Sequence, residues 1–177
     1  LDAQQAQNTE WGWPEPPTDG EDGGSESLDI YLSTIADWGA YVSSPYLDII
    51  SEDGKMGASS YMVFDPRITP EELPAYMAHE YNHVLQFGVD FSEPSILFWE
   101  ATAVWAEEVT YPGLGSGPSV APDFQNTPWA GILNDGYVLW EEYEIWSYYE
   151  YGAVLWLDFI HSEYGIDALD LWLGMTN

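Results

Sequence analysis

Thirty-one of the 177 side chains are acidic and only two, Lys55 and Arg67, are basic, a formal charge of −29. A chain this negative repels itself. Its compact state has to be driven by apolar burial and helped by salt or bound cations. The apolar material is present: 46% of residues are hydrophobic, with ten Trp, thirteen Tyr and six Phe, enough for one core at this length. The same charge argues against nucleic acid and anionic membranes as partners, and no run approaches the roughly eighteen apolar residues of a membrane span. Without cysteine there are no disulfide staples. The expected setting is extracellular, secreted or at a cell surface, in a saline medium or with calcium available. The start, "LDAQQAQNTE", has no initiator Met and reads as a processed or trimmed end, and the apolar finish, "LDLWLGMTN", reads as cut short of a following domain.

Proline, glycine and periodicity divide the chain. Residues 1–27, with "PEPPTDGEDGGSES", read as an acidic arm or linker, and residues 28–177 as a single domain. "DGEDGG" offers carboxylates for a calcium ion but lacks the ligand spacing of a known loop. "LDIYLS", 28–33, and "SSYMVFD", 59–65, alternate like strands, a further strand is expected at 47–50, and "EDGK", 52–55, reads as a turn. Thr69, Pro70 and Glu72 form a helix-start signature, with Gly88 as the expected stop. A second helix is expected from near Pro94 to before Pro112. A Gly/Pro/Asn-rich loop follows at 112–136. A third helix is expected from a Ser147/Glu150 capping box to Gly165, and then a short fourth. Strands first and helices later predict an α+β fold.

"AHEYNHVLQFG", 78–88, lies on the first of these helices and holds two of the three histidines. Residues four apart stack on one helical face, so His79 and His83 can aim two imidazoles at one ion. Glu80, rotated by about 100°, can reach water at that ion without ligating it. The blander reading is two surface or core histidines beside a solvated glutamate. A catalytic zinc needs a third protein ligand. Gln86 and Val89 stand where a metzincin has Gly and His. Three candidates remain: His161, Glu100 and Glu107. A chain that turns at "DFSEP" and returns antiparallel makes Glu100 face the histidines. Glu107 shares its helical face, either as the ligand itself or as a carboxylate orienting a histidine.

"HEYNHVLQF" followed by "WEATAVWAEE" resembles the gluzincin zinc metallopeptidases, in which H-E-x-x-H precedes a helix bearing a glutamate ligand. Trp99 stands in place of the usual Asn. The likeness is greater to a group of predicted secreted bacterial metalloproteases and spans roughly residues 28–173. The resemblance implies a zincin-like fold, Zn²⁺ held by His79, His83 and Glu100, and Glu80 as catalytic base. "YYEYGA", 148–153, is similar to the Y-E-K-G-A stretch of aminopeptidase-like gluzincins, which implies that Tyr149 polarises the scissile carbonyl; Tyr151 replaces the Lys.

The expected activity is hydrolysis of a peptide or protein substrate by an extracellular endopeptidase. Substrate is expected to add as a strand to an edge presented by 59–65. Two alternatives stay open: an inactive zincin module with a structural or surface-assembly role, and a zinc aminopeptidase.

Overall fold

The computed structural model describes residues 2–36, 39–44, 49–50, 56–132 and 134–174. It is mixed α+β. The strands are β1 (Ile30–Leu32), β2 (Ala40–Ser43), β3 (Ile49–Ile50), β4 (Met56–Gly57) and β5 (Tyr61–Phe64). The helices are α1 (Leu73–Asp90), α2 (Ile96–Thr110), α3 (Gly117–Gln125), α4 (Gly136–Tyr143), α5 (Tyr149–Gly152), α6 (Val154–Tyr164) and α7 (Ala168–Gly174). The turn expected at 52–55 lies outside the described residues.

β1, β5 and β2 form one sheet in that order, with β5 central. β1 runs parallel to β5, pairing Tyr31 with Val63, and β2 runs antiparallel, pairing Tyr41 with Val63. The expectation of an edge strand at 59–65 is therefore corrected. Met62, Val63 and Phe64 are all buried, and a strand this apolar gains most where both sides are paired. β2 is the edge strand nearest the helices. It lies in a stretch whose Gly, Ser and Pro obscured it in the sequence.

The expected capping box at Thr69 forms. Glu72 Oε2 accepts from the Thr69 amide at 3.1 Å and from its hydroxyl at 2.7 Å, while the Glu72 amide donates back to Thr69 Oγ1 at 3.3 Å. Gly88 does not end α1, which continues to Asp90. Its role is close approach: a Cβ there would come within 2.8 Å of the Pro17 ring, and the Gly88 carbonyl packs on Gly57 of β4. The region expected as loop at 112–136 holds α3, with Pro118 in its first turn, where a missing N–H costs nothing. α3 packs on α5, where a Cβ on Gly152 would collide with the Val120 carbonyl at 2.4 Å. The Ser147/Glu150 box does not form. Glu150 Oε2 instead accepts from the Gly136 amide at 2.6 Å, which ties the start of α4 to α5. Gly165 ends α6 in the left-handed conformation as expected, at φ 65°.

The N-terminal arm is corrected in part. Residues 20–27 are exposed, but Ala3, Ala6 and Trp13 are buried. A π-helical turn at Gln5–Glu10 brings Gln7 against α1. The Gln7 amide donates to the Ala78 carbonyl at 2.8 Å and accepts from Asn82 at 2.9 Å, and the Tyr81 hydroxyl donates to Asn8 at 2.6 Å. This segment therefore braces the outer side of α1. On its other side α1 packs against α2. The contacts Gln86–Trp99, His83–Glu100 and His79–Glu107 run in opposite order along the two helices, so these are antiparallel. Trp172 of α7, fully buried, seals this pair against Trp99 and Trp13; truncating it to Ala is worth about 3–5 kcal/mol. Among the described residues no helix is long and apolar enough to cross a membrane.

Candidate metal centre

Antiparallel packing of α1 on α2 brings His79, His83 and Glu100 together. His79 Nε2 lies 3.1 Å from His83 Nε2 and 3.3 Å from Glu100 Oε2, and His83 Nε2 lies 3.6 Å from the same oxygen. Zinc bound tetrahedrally at about 2.0–2.1 Å needs ligand atoms about 3.3–3.4 Å apart. The three observed separations bracket that edge. Glu100 Oε2 is buried and accepts no hydrogen bond, so the three atoms converge on a common point and not on one another. Among the described residues this is the one group of three or more His, Cys, Asp or Glu side chains close enough to share an ion. Among the described residues, Asp19, Glu21 and Asp22 form no such group.

The far side of each imidazole decides its tautomer. His79 Nδ1 donates to Glu107 Oε1 at 2.6 Å, and Glu107 is fixed in turn by the Ser116 amide at 2.6 Å and the Ser116 hydroxyl at 3.1 Å. His83 Nδ1 donates to Gln86 Oε1 at 2.6 Å. The Gln86 amide nitrogen is turned away by the Asn82 side chain at 2.8 Å, the Trp99 carbonyl at 3.0 Å and the Thr102 hydroxyl, so its oxygen must face the histidine. With both Nδ1 atoms carrying protons, both Nε2 lone pairs point at the shared locus. Two lone pairs 3.1 Å apart beside a carboxylate repel one another unless a proton or a metal ion lies between them. The donor set, two imidazoles and one carboxylate, suits zinc, and the outer hydrogen bonds are of the kind that hold its ligands.

Glu107 is thus placed on the outer nitrogen of His79 and not at the convergence point. His161 is remote: it pairs with Asp167 at 2.7 Å and packs on Trp105. Glu80 is buried and lines both cavities that meet at the centre, and its Oε2 has no hydrogen-bond partner. Burial raises its pKa, against the pull of His79 and His83. Burial disfavours the His79 imidazolium, but the Glu100 and Glu107 carboxylates facing its two ring nitrogens outweigh it and hold its pKa well above the usual value. Glu100 shows the converse: burial opposes its charge, yet His83 and His79 keep its carboxyl well below the normal range.

The expected role of Tyr149 is corrected. Its ring is 2% exposed and packs on Phe124, and its hydroxyl points to the Ala130 and Gly131 carbonyls, each at 3.3 Å. Tyr151, two residues on, faces the centre. It stacks on His79 with centroids 6.0 Å apart and planes 13° apart, and lines both cavities. Burial raises its pKa and the Glu100 charge raises it further, so it remains a protonated donor. Gln86 and Ser116 were also missed as site residues. Gln86 carried a signal, since it lies three residues after His83 on the same helical face.

Two cavities of about 480 and 420 Å³ share a wall of Ala40, His79, Glu80 and Tyr151. One extends toward Tyr76, Leu114 and Tyr148, the other toward Val42, Phe87 and Trp99. Comparison with protein-family models, curated proteins and solved structures finds no match to this chain.

Proposed function

We propose that this chain is a zinc-dependent peptidase with a zincin-like fold, acting outside the cell as an endopeptidase. The observation that carries the reading is the convergence of His79 Nε2, His83 Nε2 and Glu100 Oε2 beside a buried glutamate with an unpartnered oxygen. When bound, zinc polarises a carbonyl oxygen and brings the pKa of water down to about 7. Glu80, with its raised pKa, accepts the proton from the attacking water and returns it to the leaving amine. The Tyr151 hydroxyl donates to the carbonyl oxygen as charge develops there. Glu107 and Gln86 keep the two imidazoles oriented.

Two features favour cleavage within a chain over removal of single amino-terminal residues. Cavities lie on both sides of the shared wall, so a polypeptide can continue in both directions. β2 is an edge strand, and its Ala40, Tyr41 and Val42 line the cavity beside Glu100, which suits strand addition by an extended substrate.

Glu80→Gln tests the reading. The variant should bind one zinc per chain and stay folded, yet cleave blocked peptides about a hundredfold to ten-thousandfold more slowly. A variant that cuts as fast as the wild type refutes the mechanism. Activity confined to free amino ends would replace the endopeptidase by an aminopeptidase. A zinc-replete wild type that cleaves nothing across a broad peptide library leaves a structural module.

A further inference from the structure

An aromatic surface leads away from the centre. Beyond the His79–Tyr151 stack, Tyr151 meets Tyr148 at 5.7 Å, Tyr148 meets Trp146 at 6.3 Å, and Trp146 meets Trp140 at 6.4 Å. The rings form an unbroken series of contacts from a ligand-type histidine out to solvent. Tyr148, Trp146 and Trp140 are 50%, 75% and 49% exposed. Large rings left in water forgo the main driving force of folding, and a contiguous patch of them marks an interaction surface. The series starts at Tyr148 and Tyr151, both of which line the cavity beside His79 and Glu80, so it is continuous with the reaction site. Its steps of 5.7–6.4 Å are close to the spacing, about 6.6 Å, of like-facing side chains in an extended chain.

Charge identifies the occupant. Glu141, Glu142 and Glu144 are exposed and fall between Trp140 and Trp146 in the chain. Arg67, the one Lys or Arg among the described residues, is held by Asp65 at 2.7 Å. Ring faces interleaved with carboxylates attract ammonium and guanidinium groups. We propose that Trp140, Trp146 and Tyr148 form a track that binds extended polypeptide segments bearing Lys or Arg and leads them to Tyr151 and the metal centre. The substrate class rests on the peptidase reading; binding to the track does not.

Binding separates the two. Zinc-loaded Glu80→Gln protein is titrated with a twelve-residue alternating Lys-Ser peptide, with its Glu-Ser and Gln-Ser counterparts, and with cellohexaose. Tryptophan fluorescence and calorimetry report the affinity. The Lys-Ser peptide should bind tightest. Adding Trp146→Ala should weaken it about two- to thirtyfold, and Trp140→Ala should weaken it further. Unchanged affinity after both ring deletions would mean diffuse attraction to an acidic protein and would overturn the track. Cellohexaose binding that equals the Lys-Ser peptide and is lost with Trp146 would make the surface a carbohydrate platform and overturn it equally. Ring-dependent binding of the Lys-Ser peptide, with no cleavage by wild type, would leave the track standing and remove the peptidase.

Discussion

Glu107→Gln probes how the centre is held. Three donors meet the buried Glu107 carboxylate: His79 Nδ1 at 2.6 Å and the Ser116 hydroxyl at 3.1 Å on Oε1, and the Ser116 amide at 2.6 Å on Oε2. Glutamine fills the same volume with one acceptor oxygen. In one orientation its NH₂ faces the Ser116 N–H. In the other it faces His79 Nδ1, which can then accept only by moving its proton to Nε2, the atom needed at the metal. Either way a buried charge-assisted hydrogen bond is lost, worth about 1.5–3 kcal/mol of stability. Losing the carboxylate behind a metal-binding imidazole typically costs about 10–100-fold in affinity, or about 1.4–2.7 kcal/mol. Zinc affinity is measured by competition with a chromogenic chelator, and stability by denaturation of the metal-free protein. Glu100→Gln, which removes a donor from the convergence point itself, should weaken zinc more than Glu107→Gln does. If Glu107→Gln binds zinc like the wild type, the orienting role is wrong. If Glu107→Gln abolishes binding while Glu100→Gln retains it, the two glutamates have exchanged roles.

The two tyrosines should separate by assay. Tyr151→Phe is expected to lower kcat about ten- to hundredfold with zinc content intact, whereas Tyr149→Phe should lower stability by about 1 kcal/mol and leave kcat unchanged; the reverse result would restore Tyr149 to the site. Thermal midpoints should rise from low to molar salt as screening relieves the −29 charge, and midpoints independent of both salt and calcium would refute a self-repelling surface. Asp65 accepts hydrogen bonds from the Arg67 side chain and from the Arg67 and Ile35 amides, and these hold its carboxyl well below the usual range. A depressed folded pKa adds stability above the unfolded value of about 3.9, and that stability is lost as pH falls toward the folded value. Asp65→Asn should therefore melt lower at neutral pH and lose less between about pH 4 and pH 2 than the wild type does; parallel pH profiles would count against this.

The helices and their chemistry were legible where periodicity and caps agreed. Thr69 and Glu72 marked the start of α1, the four-residue spacing placed His79 and His83 on one face, and the turn at 91–95 brought Glu100 back to them. What was not legible depended on tertiary contact. Nothing local distinguishes Gly88 as a packing glycine from a helix stop, because the atoms it makes room for belong to residues 16 and 17. The choice between Tyr149 and Tyr151 is a rotation within a helix only four residues long, set by the packing of α5 on α2 and α3. β2 was hidden because its hydrogen-bonding partner, β5, lies some twenty residues away. Gln7 looked like part of a polar arm because its partners, Ala78 and Asn82, are more than seventy residues on.

The extreme acidity and the centre are connected. Glu80, Glu100 and Glu107 crowd three carboxylates around two imidazoles, and the single described arginine is engaged by Asp65. An unpaired buried carboxylate is costly, and the two Nε2 atoms, which Glu107 and Gln86 leave open, are where compensating positive charge can enter. A proton there compensates one charge, whereas a divalent ion compensates two and satisfies all three converging atoms. The surrounding negative field concentrates such an ion, and by the same physics it draws Lys- and Arg-bearing segments toward the aromatic track. Ionic strength then acts in opposite directions: it relieves self-repulsion and strengthens the fold, while it screens the field and slows cationic capture. Stability and association rate should therefore respond to salt with opposite signs, which a surface that merely confers solubility has no reason to do.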